Sequence, residues 1–146
     1  MASLNDFKLL NIKSESYFNL LQNESNRVIS LPTEHHKARF GFYLFMLEQL
    51  TNVKDISDLT NMITDKEFLT SVFDEKDEDF GVDAVFIDND NKLINLFNFK
   101  YRNDFKIGQR QKLNETFLST KFINALVSEN TSGLSGRTKQ KAEDII

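Results

Sequence analysis

Apolar residues recur at helical spacing through the first half of the chain. The clearest pattern predicts a helix over about 32–51, and Pro32 suits its first turn because the N–H that proline lacks has no partner there. Glu48 lies at the edge of the apolar face of this helix. Five residues spaced three or four positions apart form that face: Phe40, Tyr43, Leu44, Leu47 and Leu50.

Two further helical segments are predicted on either side of this helix. Residues 6–21 form one short helix or two pieces. Residues 58–73 are predicted to form a helical region that begins after an N-cap at Ser57 and is interrupted near Asp65. The N-terminal half of the chain is therefore expected to be rich in helix.

The period of the pattern changes from helix to strand after Gly81. Residues 82–87 and 93–101 are rich in β-branched and aromatic side chains, and the residues between them have the composition of a turn. Two strands joined so closely form an antiparallel hairpin. A long helix over about 109–129 follows, with a stop expected near Gly133 and a polar tail after it.

The turn also fixes the register of the hairpin. Whether the loop of this turn has two residues or four, Asp83 lies opposite Asn98 on the neighbouring strand. Lys100 then lies on the same face, because side chains alternate along a strand. A carboxylate on such a face needs an ion-pair partner, a hydrogen bond or a metal ion. Apolar side chains make up the rest of this face: Val85, Ile87, Ile94 and Leu96.

Composition narrows the class of protein. The chain has 146 residues, of which 40% are hydrophobic, so one domain with its own core is expected. It contains no Cys, which excludes disulfides, thiolate metal sites and a cysteine nucleophile. No apolar run approaches the ~18 residues of a membrane span, and no secretory signal pattern is present. We therefore expect a cytoplasmic protein without membrane attachment.

Charge is distributed unevenly along the chain. The net charge is −4, which does not by itself indicate a nucleic-acid-binding protein. Residues 74–90 nevertheless contain eight acidic side chains, and residues 100–112 contain five basic ones. An acidic segment beside a basic one suits a metal ion together with a phosphate, although two solvated loops of opposite sign would look the same.

The hairpin resembles the core of the PD-(D/E)xK nuclease superfamily. The residues that carry the resemblance are Gly81-Val-Asp-Ala in the first strand and Asn98-Phe-Lys-Tyr in the second. The pattern is most similar to the Mrr-like and abortive-infection phage-resistance branch of that superfamily. The resemblance implies an α/β fold with a restriction-endonuclease-like core, in which a central mixed sheet containing the hairpin near 82–101 is flanked by helices. The match spans about 21 residues, 81–101, and the order of the flanking helices from about 32 to 129 supports it. The chain is expected to form a single domain over 1–146, or an N-terminal fragment of a larger protein.

The resemblance also implies an activity, a cofactor and a set of site residues. The activity is metal-dependent hydrolysis of phosphodiester bonds in nucleic acid, DNA above all, in phage defence or restriction, with Mg²⁺ or Mn²⁺ as cofactor. Asp83 corresponds to the metal-ligating Asp, Asn98 to the Glu or Gln of the motif, and Lys100 to the catalytic Lys. Phe99 would offer its carbonyl to the metal, and Glu48 matches a Glu on the preceding helix. The basic residues that would hold backbone phosphates are Arg102, Lys106, Arg110 and Lys112.

Asn98 departs from the motif because it is neutral where the superfamily usually has Glu. Weaker metal binding follows, and a catalytically degenerate module that binds DNA or protein is the alternative function. A third interpretation is a structural interaction domain in which Asp83 and Lys100 form an ordinary ion pair. A homodimer, or attachment to further domains, is compatible with each. Residues 77–79 are expected to be a solvated turn, with Asp79 close enough to Asp83 to approach a metal, and His35 and His36 are expected at the surface.

Overall fold

The computed structural model of the protein describes residues 2–102 and 120–146. These residues belong to two compact units, one containing 2–61 and 100–102 and the other containing 62–99 and 120–146. The described part of the chain is helix-rich with a small sheet, which confirms the predicted mixed α/β class. Its elements are α1 (Leu4–Ser25), α2 (Glu34–Thr51), α3 (Ile56–Met62), α4 (Lys66–Phe73), β1 (Ala84–Asp88), β2 (Leu93–Phe97), α5 (Thr120–Ser128) and α6 (Gly136–Ile145).

The first unit is built on α1 and α2, which pack against each other. Gly41 lies against the backbone of α1, because a Cβ atom at this position would stand 1.7 Å from the carbonyl oxygen of Ser14. A glycine inside a helix usually lowers stability, and here it permits the contact. Most of the apolar face predicted for α2 is buried, but Leu50 is 57% exposed. Buried apolar side chains of the two helices include Tyr17, Phe18, Leu21, Phe40, Tyr43, Leu44 and Leu47.

Three helix starts differ from the sequence prediction. A single helix, α1, replaces the shorter segment over 6–21, because Ser3 caps it and exchanges hydrogen bonds with Asp6 in a capping box. The helix α2 begins after Thr33, so Pro32 precedes it. The helix α3 already includes Ser57, and the carboxylate of Asp55 accepts the hydrogen bond from the N–H of residue 58 in its place.

The two histidines of α2 are half-buried, not fully at the surface as predicted. His35 stacks on Tyr101, with ring centroids 5.6 Å apart. The Nδ1 atom of His36 lies 2.7 Å from the hydroxyl of Thr33. Both rings therefore help to pack the start of α2.

The second unit contains the hairpin in the predicted register. Ala84 pairs with Phe97 and Asp88 with Leu93, and the carboxylate of Asp88 closes the turn by accepting hydrogen bonds from Asn91. Ile94 was predicted on the buried face but is 43% exposed. Val85, Ile87 and Leu96 do lie against the core of this unit, whose other members include Val82, Phe122, Ala125, Leu134 and Ala142.

Among the described residues the sheet is smaller than the mixed sheet that was predicted. It consists of β1 and β2, and Ile63 adds one isolated antiparallel bridge to Ala84. The central sheet of a restriction-endonuclease-like core is therefore not seen in this part of the chain. None of the described helices combines the length and the hydrophobicity that a membrane span requires.

The C-terminal helices differ in part from the prediction. The helix α5 is the described part of the segment predicted over 109–129, and residues 109–119 lie outside the description. It ends at Ser128, before Gly133, because Glu129 adopts a left-handed conformation with φ of 52°. The polar tail forms α6, a helix that buries Thr138 and Ala142, four residues apart. These small residues give little hydrophobic signal in the sequence.

Candidate metal centre

Three aspartate carboxylates converge in the second unit. One carboxylate oxygen from each of Asp65, Asp79 and Asp83 lies within 4.8 Å of the other two. Oxygen atoms this close together can share one cation, since oxygen ligands stand about 2.0–2.6 Å from Mg²⁺ or Ca²⁺. Asp65 is only 5% exposed, while Asp79 and Asp83 are half-buried. The cluster could therefore hold a metal ion.

Asp83 is positioned by both strands of the hairpin. It lies directly before β1, and its backbone N–H donates a 2.8 Å hydrogen bond to the carbonyl of Phe97. Its carboxylate accepts a 2.6 Å hydrogen bond from the backbone N–H of Phe99. The start of β1 and the residues just after β2 therefore fix both the backbone and the side chain of Asp83.

Asp65 reaches the cluster through the short extended segment between α3 and α4. The backbone N–H groups of Thr64 and Asp65 both donate to the carbonyl of Asp83, at 2.8 and 3.1 Å. The Asp65 carboxylate also caps α4, accepting a 2.8 Å hydrogen bond from the N–H of Phe68. This segment thus extends along β1 and then turns into a helix at Asp65, which leaves the carboxylate beside that of Asp83.

Asp79 belongs to a tight turn before the hairpin. Its carboxylate accepts hydrogen bonds from the backbone N–H groups of Gly81 and Lys66, both at 3.0 Å. Its carbonyl accepts a 3.1 Å hydrogen bond from the N–H of Val82. Gly81 has a φ of 76°, a conformation that favours glycine. The turn therefore explains the glycine of the motif and places Asp79 next to the start of α4.

Burial and neighbouring charge disfavour the ionised form of Asp83. Burial raises the pKa of this carboxyl, the charge of Asp65 raises it further, and the resulting pKa is about 8. The hydrogen bond from the Phe99 N–H acts in the opposite direction. Without a cation, burial and the charge of Asp65 therefore favour the protonated form of the Asp83 carboxyl. A bound cation would offset the same repulsion.

The other predicted site residues are divided between the two units. Asn98 and Phe99 share the second unit with Asp83, and the side-chain amide of Asn98 donates a 3.0 Å hydrogen bond to the carbonyl of Gly81. Lys100 and Arg102 belong to the first unit. The remaining predicted phosphate-binding residues, Lys106, Arg110 and Lys112, lie outside the described residues.

Glu48, also predicted as a site residue, has local partners in the first unit. Its carboxylate lies 3.2 Å from the ammonium of Lys54 and is hydrogen-bonded to the hydroxyl of Tyr17. Burial and this carboxylate together raise the pKa of Tyr17 to about 12. Through these contacts Glu48 connects α2 to α1 and to the residues that follow α2.

Asp65 is the member of the cluster that the sequence analysis missed. The sequence identified it only as the point where a helical segment breaks. Asp79, in contrast, was expected within reach of a metal. Asp77 and Glu78 are exposed, as predicted. The available signal was the dipeptide Ile63-Thr64 before an aspartate. Two β-branched residues followed by a good N-cap residue suggest an extended segment leading into a helix.

No protein-family model, curated protein or solved structure matches this chain.

Proposed function

We propose that this chain is a nuclease domain that requires a divalent metal ion and hydrolyses phosphodiester bonds of nucleic acid, DNA above all. The observation that carries the proposal is the position of Asp83. The sequence motif assigns this residue to a metal, and the fold surrounds it with the carboxylates of Asp65 and Asp79. Motif and cluster are separate observations, and both identify Asp83. A role in phage defence or restriction, in the cytoplasm, accords with the branch that the motif resembles.

Mg²⁺, or Mn²⁺ in its place, is the proposed cofactor. All three cluster members offer carboxylate oxygens, which these hard cations prefer. When bound, such an ion polarises the scissile phosphate and lowers the pKa of an attacking water. Asp65 and Asp79 supply negative charge that the motif lacks at Asn98. The neutral amide at that position is therefore compatible with metal binding.

The remaining roles belong to residues of the motif and of the basic segment. In the proposal, Lys100 positions the attacking water and stabilises the negative charge that develops on the phosphate. Backbone phosphates on either side of the scissile bond are held by Arg102 and by the basic residues that follow it. Glu48 is assigned a structural role instead of a catalytic one, because its carboxylate bonds with Tyr17 and Lys54.

The test is cleavage by the purified full chain of plasmid DNA, single-stranded DNA and RNA with Mg²⁺ or Mn²⁺. We expect cleavage that stops on addition of EDTA and is lost in Asp83→Asn. Lys100→Ala should slow cleavage by about 10²–10³-fold while DNA affinity changes little, since phosphate binding is shared among several cations. Asp90→Asn, in the exposed hairpin turn, and Lys8→Ala, on the exposed side of α1, are the matched controls.

Two results would contradict the proposal. A folded wild-type chain that binds neither Mn²⁺ nor Mg²⁺ would remove the metal site. Cleavage that persists at the wild-type rate in both Asp83→Asn and Lys100→Ala would show that the activity comes from elsewhere, such as a contaminating nuclease.

A degenerate binding module is the second candidate. The observation that favours it is Asn98, which is neutral and uses its amide in a hydrogen bond with the Gly81 carbonyl. Such a module would bind DNA or protein without cleaving. Metal-independent DNA binding by the wild type and by Asp83→Asn alike, with no cleavage by either, would support this second function.

A further inference from the structure

Thr64 connects the two chain segments that carry Asp65 and Asp83. It directly precedes Asp65, and its hydroxyl donates a hydrogen bond to the carbonyl of Val82, the residue that directly precedes Asp83. Thr64 is 1% exposed and Val82 is also 1% exposed. The side chain of Thr64 thus joins the two chain segments one residue away from each carboxylate.

Other contacts in this region are made by the backbone. The N–H groups of Thr64 and Asp65 donate to the Asp83 carbonyl, and Ile63 forms a bridge with Ala84. Nearly any residue at position 64 could supply its own backbone N–H. The bond to the Val82 carbonyl, in contrast, requires a side-chain donor, so it depends on the identity of residue 64.

Metal binding requires both carboxyls to be ionised, and two ionised neighbours repel each other, so the surrounding structure has to set their separation. We propose that the Thr64 hydroxyl is a positioning group for the metal site, holding Asp65 at the distance from Asp83 that one divalent cation requires. This inference rests on the proposed function. Groups that orient metal ligands in this way typically change metal affinity by about 10–100-fold when removed.

A purely structural role for Thr64 predicts a different result. If the hydroxyl only satisfies the buried Val82 carbonyl, its removal lowers stability and leaves metal affinity unchanged in the folded protein. Metal affinity measured well below the melting temperature therefore separates the two roles.

The experiment is titration of the full chain with Mn²⁺ alone, by calorimetry, with folding checked by circular dichroism. Thr64→Val has nearly the same shape as threonine but cannot donate, and its affinity for Mn²⁺ should fall by about 10–100-fold. Thr64→Ser keeps the hydroxyl and should bind Mn²⁺ close to the wild-type affinity. The matched control is Thr60→Val, because Thr60 is 4% exposed and its hydroxyl donates to the Ser57 carbonyl, within α3.

Each outcome decides the proposal. Wild-type affinity in folded Thr64→Val, together with loss of Mn²⁺ binding in Asp83→Asn, would overturn the role of Thr64 and leave the proposed function standing. Absence of Mn²⁺ binding by the wild type would overturn both. If Thr64→Val does not fold, Thr64→Cys replaces it, since a thiol is only a weak donor. Weaker Mn²⁺ binding in Thr64→Cys than in Thr64→Ser would then support the proposal, and equal binding would overturn it.

Discussion

The backbone N–H of Phe99 donates a 2.6 Å hydrogen bond to the carboxylate of Asp83, which joins the end of one hairpin strand to the start of the other. The bond favours an ionised Asp83, whereas burial and the charge of Asp65 favour the protonated form and prevail. The resemblance implied that the carbonyl of Phe99 binds the metal. The contact that the structure describes is made instead by the N–H of Phe99, to the Asp83 carboxylate. Phe99 thereby contributes to the orientation of Asp83.

The first prediction concerns the stability of the metal-free protein. The pKa of Asp83 is about 8 in the fold and about 3.8 in an unfolded chain, so the folded state binds the extra proton between these values. This stabilising contribution is complete below about pH 4 and is lost as the pH rises through 8. Each pKa unit is worth about 1.4 kcal/mol, so we expect a loss on the order of a few kcal/mol.

Asp83→Asn should remove this pH dependence. The side-chain carbonyl of the introduced asparagine can still accept the Phe99 N–H, and its amide can donate to Asp65 without any proton uptake. Urea unfolding in EDTA should therefore show the variant to be more stable than the wild type at pH 8, with the difference shrinking or reversing near pH 5. An equal pH dependence in wild type and Asp83→Asn would contradict the assignment, and Asp90→Asn serves as the control.

The second prediction concerns protons released by metal binding. Because the pKa of Asp83 is about 8, binding Mn²⁺ at pH 7 should displace a proton, and the affinity should increase as the pH rises towards 8. Calorimetry in buffers of different ionisation enthalpy should therefore give different apparent heats. Identical heats in all buffers at pH 7 would show that Asp83 binds the metal without losing a proton.

The third prediction concerns Gly41 in α2. Alanine is the better helix former by about 1 kcal/mol, but its Cβ would overlap the carbonyl oxygen of Ser14 at 1.7 Å. Backbone cannot yield as a flexible side chain can, so Gly41→Ala should destabilise the first unit by about 1–3 kcal/mol. Gly133→Ala is the control, because among the described residues its Cβ would meet only the flexible Lys121 side chain, at 3.3 Å. Chemical unfolding that shows both variants near wild-type stability would refute this account.

The fourth prediction concerns an ion pair that connects α6 to the residues after α4. Two nitrogens of the Arg137 guanidinium bond with the two carboxylate oxygens of Glu75, at 2.9 and 3.1 Å, and the guanidinium also lies 4.9 Å from the centre of the Phe73 ring. A double-mutant cycle with alanine at both positions should give a coupling energy of about 1 kcal/mol. Lysine at position 137 should not restore it, because an ammonium cannot form the paired geometry.

The more exposed pair of Lys139 and Glu143 provides the comparison. Its atoms are 3.8 Å apart on one face of α6. The same cycle there should give no more than about 0.5 kcal/mol. A coupling at Arg137 and Glu75 no larger than this value would mean that the paired geometry adds nothing to stability.

Local patterns in the sequence were sufficient for the features that depend on neighbouring residues. The turn at Asp88 and the alternation of the two strands predicted the register from Ala84 to Asp88, because a short turn leaves few pairings. The helical face of α2 followed from residues three and four apart. The helix α6 was missed because it buries only Thr138 and Ala142, which are small.

By itself the sequence placed Asp83 at the start of a hairpin, in a pattern that resembles a motif with a metal-binding aspartate. Asp79, four residues before it, was also expected nearby, and only the tertiary structure added Asp65. Asp65 is 18 residues away along the chain, and it reaches Asp83 because Ile63 and Thr64 pair with the edge of the hairpin. No local periodicity encodes such a pairing, since it forms only when distant segments bury their apolar residues and satisfy their backbone hydrogen bonds together.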